Sequence, residues 1–306
     1  MRRTVLRGIA GIVAAFLAGD AAACTVTPRA RIPLQVIGGT ILVEARVNGY
    51  AAQMILDTGA QRSLIANTAL QRLDLEQDDT AATSTRGIGG IERNRNTVPR
   101  SLSLGGIALE RRTLNRDTSL TVGTLGRTSV GGQRVDGLLG RDFLAAFDLE
   151  LDLRAAALTL HSVSGCNNVT PPWPAPYTTL PVQFPTDTAL QLTAEIDGVK
   201  LRALLDTGAS TTVLMAPGMA RLDIPEALLL QDREVQMNGI GPRSVAGRVH
   251  RFRLLRIGDI VVEQPRIVVA PIRVVPIADL LLGADWLVDK RVWISFATGR
   301  IFVTRR

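Results

Sequence analysis

ARVNGYAAQMILDTGA (residues 45–60) and AEIDGVKLRALLDTGA (residues 194–209) align without a gap at an offset of 149. Each has an apolar stretch, an Asn-Gly or Asp-Gly pair, a second apolar stretch and then Asp-Thr-Gly-Ala. Further out, Arg86-Gly87-Ile88-Gly89-Gly90 is echoed by Asn238-Gly239-Ile240-Gly241-Pro242, and Leu104-Gly105-Gly106-Ile107 by Ile257-Gly258-Asp259-Ile260. GLLGRDFLAAFDLELDL (137–153) is echoed by LLLGADWLVDKRVWISF (280–296). Four landmarks in one order at a nearly constant offset mark an internal duplication of a unit of roughly 140–150 residues.

Each unit reads as β structure: short apolar runs rich in Val, Ile, Leu and Thr, broken at Gly, Asn or Pro. Asn48-Gly49 and Asp197-Gly198 sit between apolar stretches and predict tight hairpins, whose two central residues need positive φ. Short helices are expected after Gly140 (Asp142 to Phe147) and after Gly283 (Asp285 to Val288), with Asp142 and Asp285 as caps of their first turns. Two more are expected over Asn67–Leu73 and Met219–Leu229. The fold class is therefore all-β with few short helices: an N-terminal lobe at 24–161, a linker at 162–179 and a C-terminal lobe at 180–306. The linker assignment rests on SVSGCNNVTPPWPAPYTT (162–179), whose four prolines remove backbone donors and resist regular structure.

Residues 1–23 read as a signal peptide: Arg2, Arg3 and Arg7, a short apolar run over 8–19, then Ala21-Ala22-Ala23 as a small-residue cleavage site. The run is shorter than the roughly 20 apolar residues a membrane anchor needs. The chain is thus expected to be exported, to a periplasm or beyond, by the general route or the twin-arginine one. Two readings of Cys24 stay open. It resembles a lipoprotein processing site, with Ala in place of the usual Leu at the third position before the Cys. Alternatively it pairs with Cys166, the only other cysteine, in an oxidising compartment. The formal charge of +7 falls to +5 without residues 1–23, which hold three Arg and one Asp. The arginines are scattered and few aromatics accompany them, so no nucleic-acid surface is read. His161 and His250 stand apart with no ligand-spaced cluster around them, so no metal and no cofactor is expected. Trp173, Trp286 and Trp293 read as linker packing and core.

Both copies place Asp-Thr-Gly directly after an apolar strand: Met54-Ile55-Leu56 before Asp57, and Ala203-Leu204-Leu205 before Asp206. A carboxylate delivered at the end of a buried strand is costly unless hydrogen-bonded or sharing a proton. Gly59 and Gly208 allow a tight turn whose N–H groups approach the carboxylate, and the hydroxyls of Thr58 and Thr207 are placed to bond backbone in the other loop. Ala60 and Ala209 complete each loop. If the loops face each other, the two carboxylates hold one proton between them, a case for which aspartic proteases are the standard example.

These residues resemble the active-site loops of the retropepsin family of aspartic proteases, closest in kind to bacterial exported members. Gly87-Ile88-Gly89-Gly90, and by duplication Gly239-Ile240-Gly241, resemble that family's flap tips. Leu138-Leu139-Gly140-Arg141-Asp142 and Leu281-Leu282-Gly283-Ala284-Asp285 resemble its apolar-apolar-Gly segment before a short helix. The resemblance spans most of residues 32–303 and implies two retropepsin-like β-barrel lobes, a cleft between them and flaps that fold over an extended peptide. It implies catalysis by Asp57 and Asp206, and a monomer with both half-sites on one chain. The sequence also departs from the family. Gln61 and Ser210 stand where retroviral members often carry an acid, which leaves Arg141 without that ion pair. The first flap has no Tyr of the pepsin kind, and the second runs into Pro242, which makes the two flaps unequal. Asp152 corresponds to Ser295, a structural change. The leading expectation is an exported endopeptidase. The rival is a catalytically silent peptide-binding protein on the same fold, disfavoured because a binder has no need of two buried acids.

Overall fold

A computed structural model describes residues 24–109, 119–166, 168–174, 176–183, 189–274 and 277–304. The signal-peptide reading of residues 1–23 lies outside them. The duplication is realised as two lobes, each a curled, mostly antiparallel sheet with one shared pairing pattern. In the first, Thr40–Val47 and Tyr50–Leu56 form the hairpin around Asn48 and Gly49, whose φ values are 51° and 84°. Gly137–Leu139 lies parallel to the end of that hairpin, antiparallel to Leu64–Ala66, which runs parallel to Leu120–Gly123. In the second lobe Gln191–Ile196 and Val199–Leu205 form the hairpin around Asp197 and Gly198, at φ 50° and 90°. Leu280–Leu282, Val213–Leu214 and Arg266–Val269 then repeat the parallel, antiparallel, parallel sequence. The apolar-apolar-Gly segment is therefore the strand wedged beside each Asp-Thr-Gly strand. Its residues are buried because it has neighbours on both edges.

A further sheet joins the lobes. Its strands run in the order Tyr177–Pro181, Arg300–Thr304, Arg291–Ser295, Asp148–Asp152, Ala157–Ser164 and Thr25–Ile37. The first three lie on the C-terminal side of residues 165–176 and the last three on the N-terminal side, so Ala157–Ser164 and Tyr177–Pro181 take up the two ends of the stretch read as linker. The central contact is between Asp148–Asp152 and Arg291–Ser295, strands from corresponding ends of the two copies. Cys24 and Cys166 form a disulfide beside the pairing of Thr25 with Ser164. The stretch read as linker is held in place: Val169 and Trp173 are buried with Trp293 and Phe302, and regular strand runs to Ser164 and resumes at Tyr177.

The helices are shorter than the sequence suggested. Arg141–Leu144 and Ala284–Leu287 each make about one turn, and Asn67–Ala69 is a 3₁₀ turn. The expected helix at 219–229 is two pieces, Ala216–Leu222 and Glu226–Leu229. They are separated where Asp223 takes a left-handed φ of 48° and Pro225 withholds a donor. Asp142 and Asp285 do not stand at the cap positions, which are Gly140 and Gly283, residues with no side chain. Both carboxylates bond a hydroxyl from another loop, Ser63 and Thr212, and Asp285 Oδ1 also accepts from Trp286 N–H at 2.9 Å. No helix among the described residues is long and apolar enough to cross a membrane.

Candidate active site

Each acid is carried to the end of a buried strand by the same backbone bond: Asp57 N–H donates to Leu139 O at 3.0 Å, and Asp206 N–H to Leu282 O at 3.0 Å. The turn that follows folds its own N–H groups onto the carboxylate. Gly59 and Ala60 donate to Asp57 Oδ1 at 2.9 and 2.7 Å, and Gly208 and Ala209 to Asp206 Oδ1 at 2.9 and 3.2 Å. Each turn thus offsets part of its own carboxylate's desolvation.

The loops face each other across a pseudo-two-fold axis. Thr58 Oγ1 donates to Leu205 O at 3.0 Å and accepts from Thr207 N–H at 3.1 Å. Thr207 Oγ1 donates to Leu56 O at 2.6 Å and accepts from Thr58 N–H at 3.0 Å. Both threonines are fully buried. The glycines show how close the two chains are. A Cβ on Gly59 would lie 2.4 Å from Asp206 Cγ, and one on Gly208 would lie 2.4 Å from Asp57 Cγ. Any other residue at either position would occupy the place of the opposite carboxyl.

This crowding sets the charge state. Burial, then the charge of Asp206, push the Asp57 carboxyl well above the usual carboxylate range, and the two carboxyls hydrogen-bond to each other. Burial also raises Asp206, against the N–H groups of Ala209 and Gly208, the bond from Asp57 and the positive charge of Arg141. The pair therefore holds one proton and one negative charge as a unit. Both residues are only half-buried, so solvent reaches them.

Around the loops lies a set of clamps that sequence reading did not find. Ser63 Oγ donates to Asp142 at 2.7 Å and accepts from Gly140 N–H at 2.8 Å. Thr212 Oγ1 does the same with Asp285 and Gly283, at 2.7 and 3.2 Å. Behind the strands, Asp136 accepts from Gln53 N–H and pairs with Arg72 and Arg134, while Asp279 accepts from Arg202 N–H and pairs with Arg202 and Arg221. Both of these acids are fully buried. Their only sequence signal was an Asp just before each buried apolar-apolar-Gly strand. Arg141 occurs in the first lobe only. Its backbone N–H and its Nε both donate to Ala60 O, at 3.0 and 3.3 Å.

The two glycine-rich segments are brought together as well. Gly87-Ile88-Gly89-Gly90 closes the hairpin of Gln77–Gly87 with Gly90–Thr97. Residues 238–244 close that of Arg233–Met237 with Val245–Arg251. Gly89 N–H donates to Ile240 O at 2.9 Å, and Arg243 N–H to Gly89 O at 3.3 Å. The second tip also rests on a first-lobe loop: Gly126 N–H donates to Gly239 O at 2.8 Å and Gly241 N–H to Thr124 O at 3.0 Å. Cys24 and Cys166 belong to the inter-lobe sheet and not to these loops. Among the described residues no three His, Cys, Asp or Glu side chains converge as a bound metal would require.

His161 is not isolated in the fold. It stacks on Trp293, with centroids 4.1 Å apart, and its Nε2 meets Glu150 Oε2 at 2.9 Å. Glu150 also accepts from Trp173 Nε1 and Arg291 Nε, at 3.1 and 2.6 Å. Burial alone would raise this acid, but the bonds from His161, Arg291 and Trp173 hold its carboxyl down at about 2.

Comparison with protein families gives a match to the model described as aspartyl protease at residues 43–143 and again at 192–286, once in each lobe and together more than half of the chain. No curated protein matches the sequence.

Proposed function

The chain belongs to the aspartyl protease family, and on that premise we propose that it is an endopeptidase in which Asp57 and Asp206 act as one catalytic dyad in a cleft between the lobes. The observation that carries this reading is the reciprocal approach of the two Asp-Thr-Gly loops, in which each carboxyl occupies the space a side chain on the opposite glycine would fill.

The chemistry follows from one proton on two carboxyls. The ionised carboxylate takes a proton from a water molecule as its oxygen attacks the peptide carbonyl carbon. The protonated partner gives its proton to the carbonyl oxygen. The result is a tetrahedral diol with the dyad still singly protonated. The C–N bond then breaks as the dyad's proton passes to the amide nitrogen, and a diol hydroxyl returns a proton to the dyad. One peptide bond and one water become a carboxylic acid and an amine, with neither covalent intermediate nor cofactor. The flap tips at Gly87–Gly90 and Gly239–Gly241 close over an extended polypeptide, bonding its backbone and keeping solvent from the diol. One chain supplies both half-sites, so the working unit is the monomer.

The protein is exported, to the periplasm or beyond, after cleavage following Ala23. The Cys24–Cys166 bridge supports an oxidising compartment. It also favours a free enzyme over a lipid-anchored one, because a bridged thiol cannot carry a lipid thioether. Non-reducing mass spectrometry of the purified protein should give an N-terminus at Cys24 and the mass of one disulfide. A lipid adduct on Cys24 would overturn that part.

Activity is tested by incubating the folded protein with a diverse pool of unstructured peptides from acid to neutral pH and reading products by mass spectrometry. Cleavage by the wild type that disappears in Asp57→Asn and in Asp206→Asn is the expected result. No cleavage at any pH by a folded protein would replace the enzyme with a peptide-binding module.

A further inference from the structure

The two active-site loops share a backbone design that carries different side chains. Behind each loop the residue after the apolar-apolar-Gly segment donates its N–H to the loop alanine: Arg141 to Ala60 O at 3.0 Å, Ala284 to Ala209 O at 2.8 Å. Those alanines donate in turn to Asp57 and Asp206. The backbone connection is therefore complete without a side chain, as the second lobe demonstrates. The first lobe adds a guanidinium to it.

That guanidinium is in an unusual position. Arg141 is fully buried, at 0% exposure. Its Nε donates to Ala60 O at 3.3 Å, while Nη1 and Nη2 meet no acceptor among the described residues. Buried cations are normally paired, and an arginine fork is normally matched by a carboxylate. The acids that act on it are Asp57, Asp206 and Asp142. Asp142 is occupied by Ser63, from which it accepts both the N–H and the hydroxyl. The loop's other cation, Arg62, turns to Ser119. Gln61, next to Ala60, carries no charge. The negative charge left to balance Arg141 is the one shared by Asp57 and Asp206.

We propose that Arg141 is a positioning residue, a buried cation built into one lobe with no carboxylate bonded to its fork, that keeps the Asp57–Asp206 pair singly ionised toward acid pH. The proposal rests on the proteolytic reading above but concerns the pair's ionisation, which can be read without any substrate. A fixed cation beside the pair favours the monoanion over the neutral pair and the dianion over the monoanion. Both titration steps of the pair therefore lie lower with Arg141 than without it. Removing the cation moves both limbs of a pH profile in the alkaline direction, whereas a packing defect would lower the profile without moving it.

The test uses the full protein with ¹³C-labelled aspartate carboxyls. Their shifts are followed against pH in the wild type, Arg141→Met and Arg141→Lys, and the pair is assigned through Asp57→Asn and Asp206→Asn. Arg141→Met should titrate about one pH unit higher. The acid limb of its kcat/KM profile should move by the same amount. Arg141→Lys, which keeps the charge without the fork, should stay near the wild-type titration. A folded Arg141→Met whose pair titrates as in the wild type overturns the proposal. If Arg141→Met does not fold, Arg141→Gln replaces it; loss of folding there too makes Arg141 a structural residue and also overturns the proposal. Failure of the proteolytic reading would look different: no peptide cleaved by the wild type, with the effect of Arg141 on the carboxyl titration still measurable.

Discussion

In the first lobe a buried arginine follows the Leu-Leu-Gly stretch and the flap tip ends in two glycines. In the second the arginine is Ala284 and the tip runs into Pro242. Closer to the dyad the lobes do not differ. Thr58 and Thr207 exchange equivalent bonds, Ser63 and Thr212 bridge equivalent acids, and Asp136 and Asp279 hold equivalent strands from behind. The difference shows which contacts the duplication was free to change. A contact that crosses the pseudo-axis near the carboxyls needs its mirror image, because each half completes the other. One layer out, each copy can diverge separately.

The inter-lobe sheet shows the same freedom at the axis itself. Glu150 pairs directly with Trp293, its own counterpart at an offset of 143, and its neighbours pair symmetrically about that point. In a dimer of identical chains an acid here would face itself. With two copies on one chain it faces an indole and takes Arg291, Trp173 and His161 as partners.

The largest effect that can break the lobe symmetry is at the dyad. Asp57→Asn and Asp206→Asn should each reduce cleavage by about 10³-fold or more, alike, because a shared proton cannot be half-removed. Stability should move the other way. A carboxyl raised in the folded state contributes fully below the usual carboxylate range, and its contribution is lost as pH rises through the folded value. Asp57→Asn should therefore resist denaturant better than the wild type at pH 7 and no better near pH 3. Equal stability at both pH values would mean that neither burial nor the charge of Asp206 strains the folded Asp57 carboxyl.

Next are the threonines. Thr58→Val leaves Leu205 O and Thr207 N–H without their partner, and Thr207→Val leaves Leu56 O and Thr58 N–H. Each buried group left unpaired costs about 1–3 kcal/mol, so each variant, which leaves two, should lose roughly 2–6 kcal/mol in urea unfolding, with matched losses. A clearly smaller loss in one of them would mean that the grip is held from one side.

The reach of the sequence follows the same division. The Asp-Thr-Gly loops, the Asn-Gly and Asp-Gly hairpins and the two glycine-rich segments were legible because each is a local pattern repeated in both copies. The reciprocal threonine bonds could be inferred once the loops were set face to face. The His161–Glu150–Trp173–Arg291 cluster was not legible: its members come from four segments with no common spacing, and only strand pairing across the lobes assembles them. Asp142 and Asp285 were read as caps from local propensity alone; each stands one residue past the N-terminus of its helix, where the fold offers it a hydroxyl and an N–H from another loop.

Glu150 gives a third measurement, in a region where the copies share no chemistry. Its carboxyl lies at about 2 in the folded protein against an ordinary value of 4.5. Its contribution is thus present at neutral pH and is lost as pH falls through that window, a slope opposite in sign to that of the dyad. The depression corresponds to roughly 3 kcal/mol. Glu150→Gln should lose up to that amount at pH 7 and almost nothing near pH 2. A loss that is constant with pH would mean that the cluster is held by shape and not by charge.

The smallest expected effect separates the two flaps. A Cβ on Gly87 would meet Ile240 O at 2.4 Å and one on Gly89 would meet the Gly241 backbone at 2.7 Å, whereas one on Gly239 would meet only the Ile88 side chain, at 3.2 Å. Backbone carbonyls cannot step aside, but an isoleucine can change rotamer. Gly89→Ala should therefore hold the tips apart and raise KM several-fold, while Gly239→Ala changes it about twofold or less. Gly90→Ala provides the control. Its Cβ would meet nothing within 4 Å, but its φ of 119° disfavours any side chain. If Gly90→Ala raises KM as much as Gly89→Ala does, strain in the first tip governs closure. If only Gly89→Ala does so, the contact between tips governs it, a contact as tight from the second tip, where a Cβ on Gly241 would meet the Gly89 backbone at 2.6 Å.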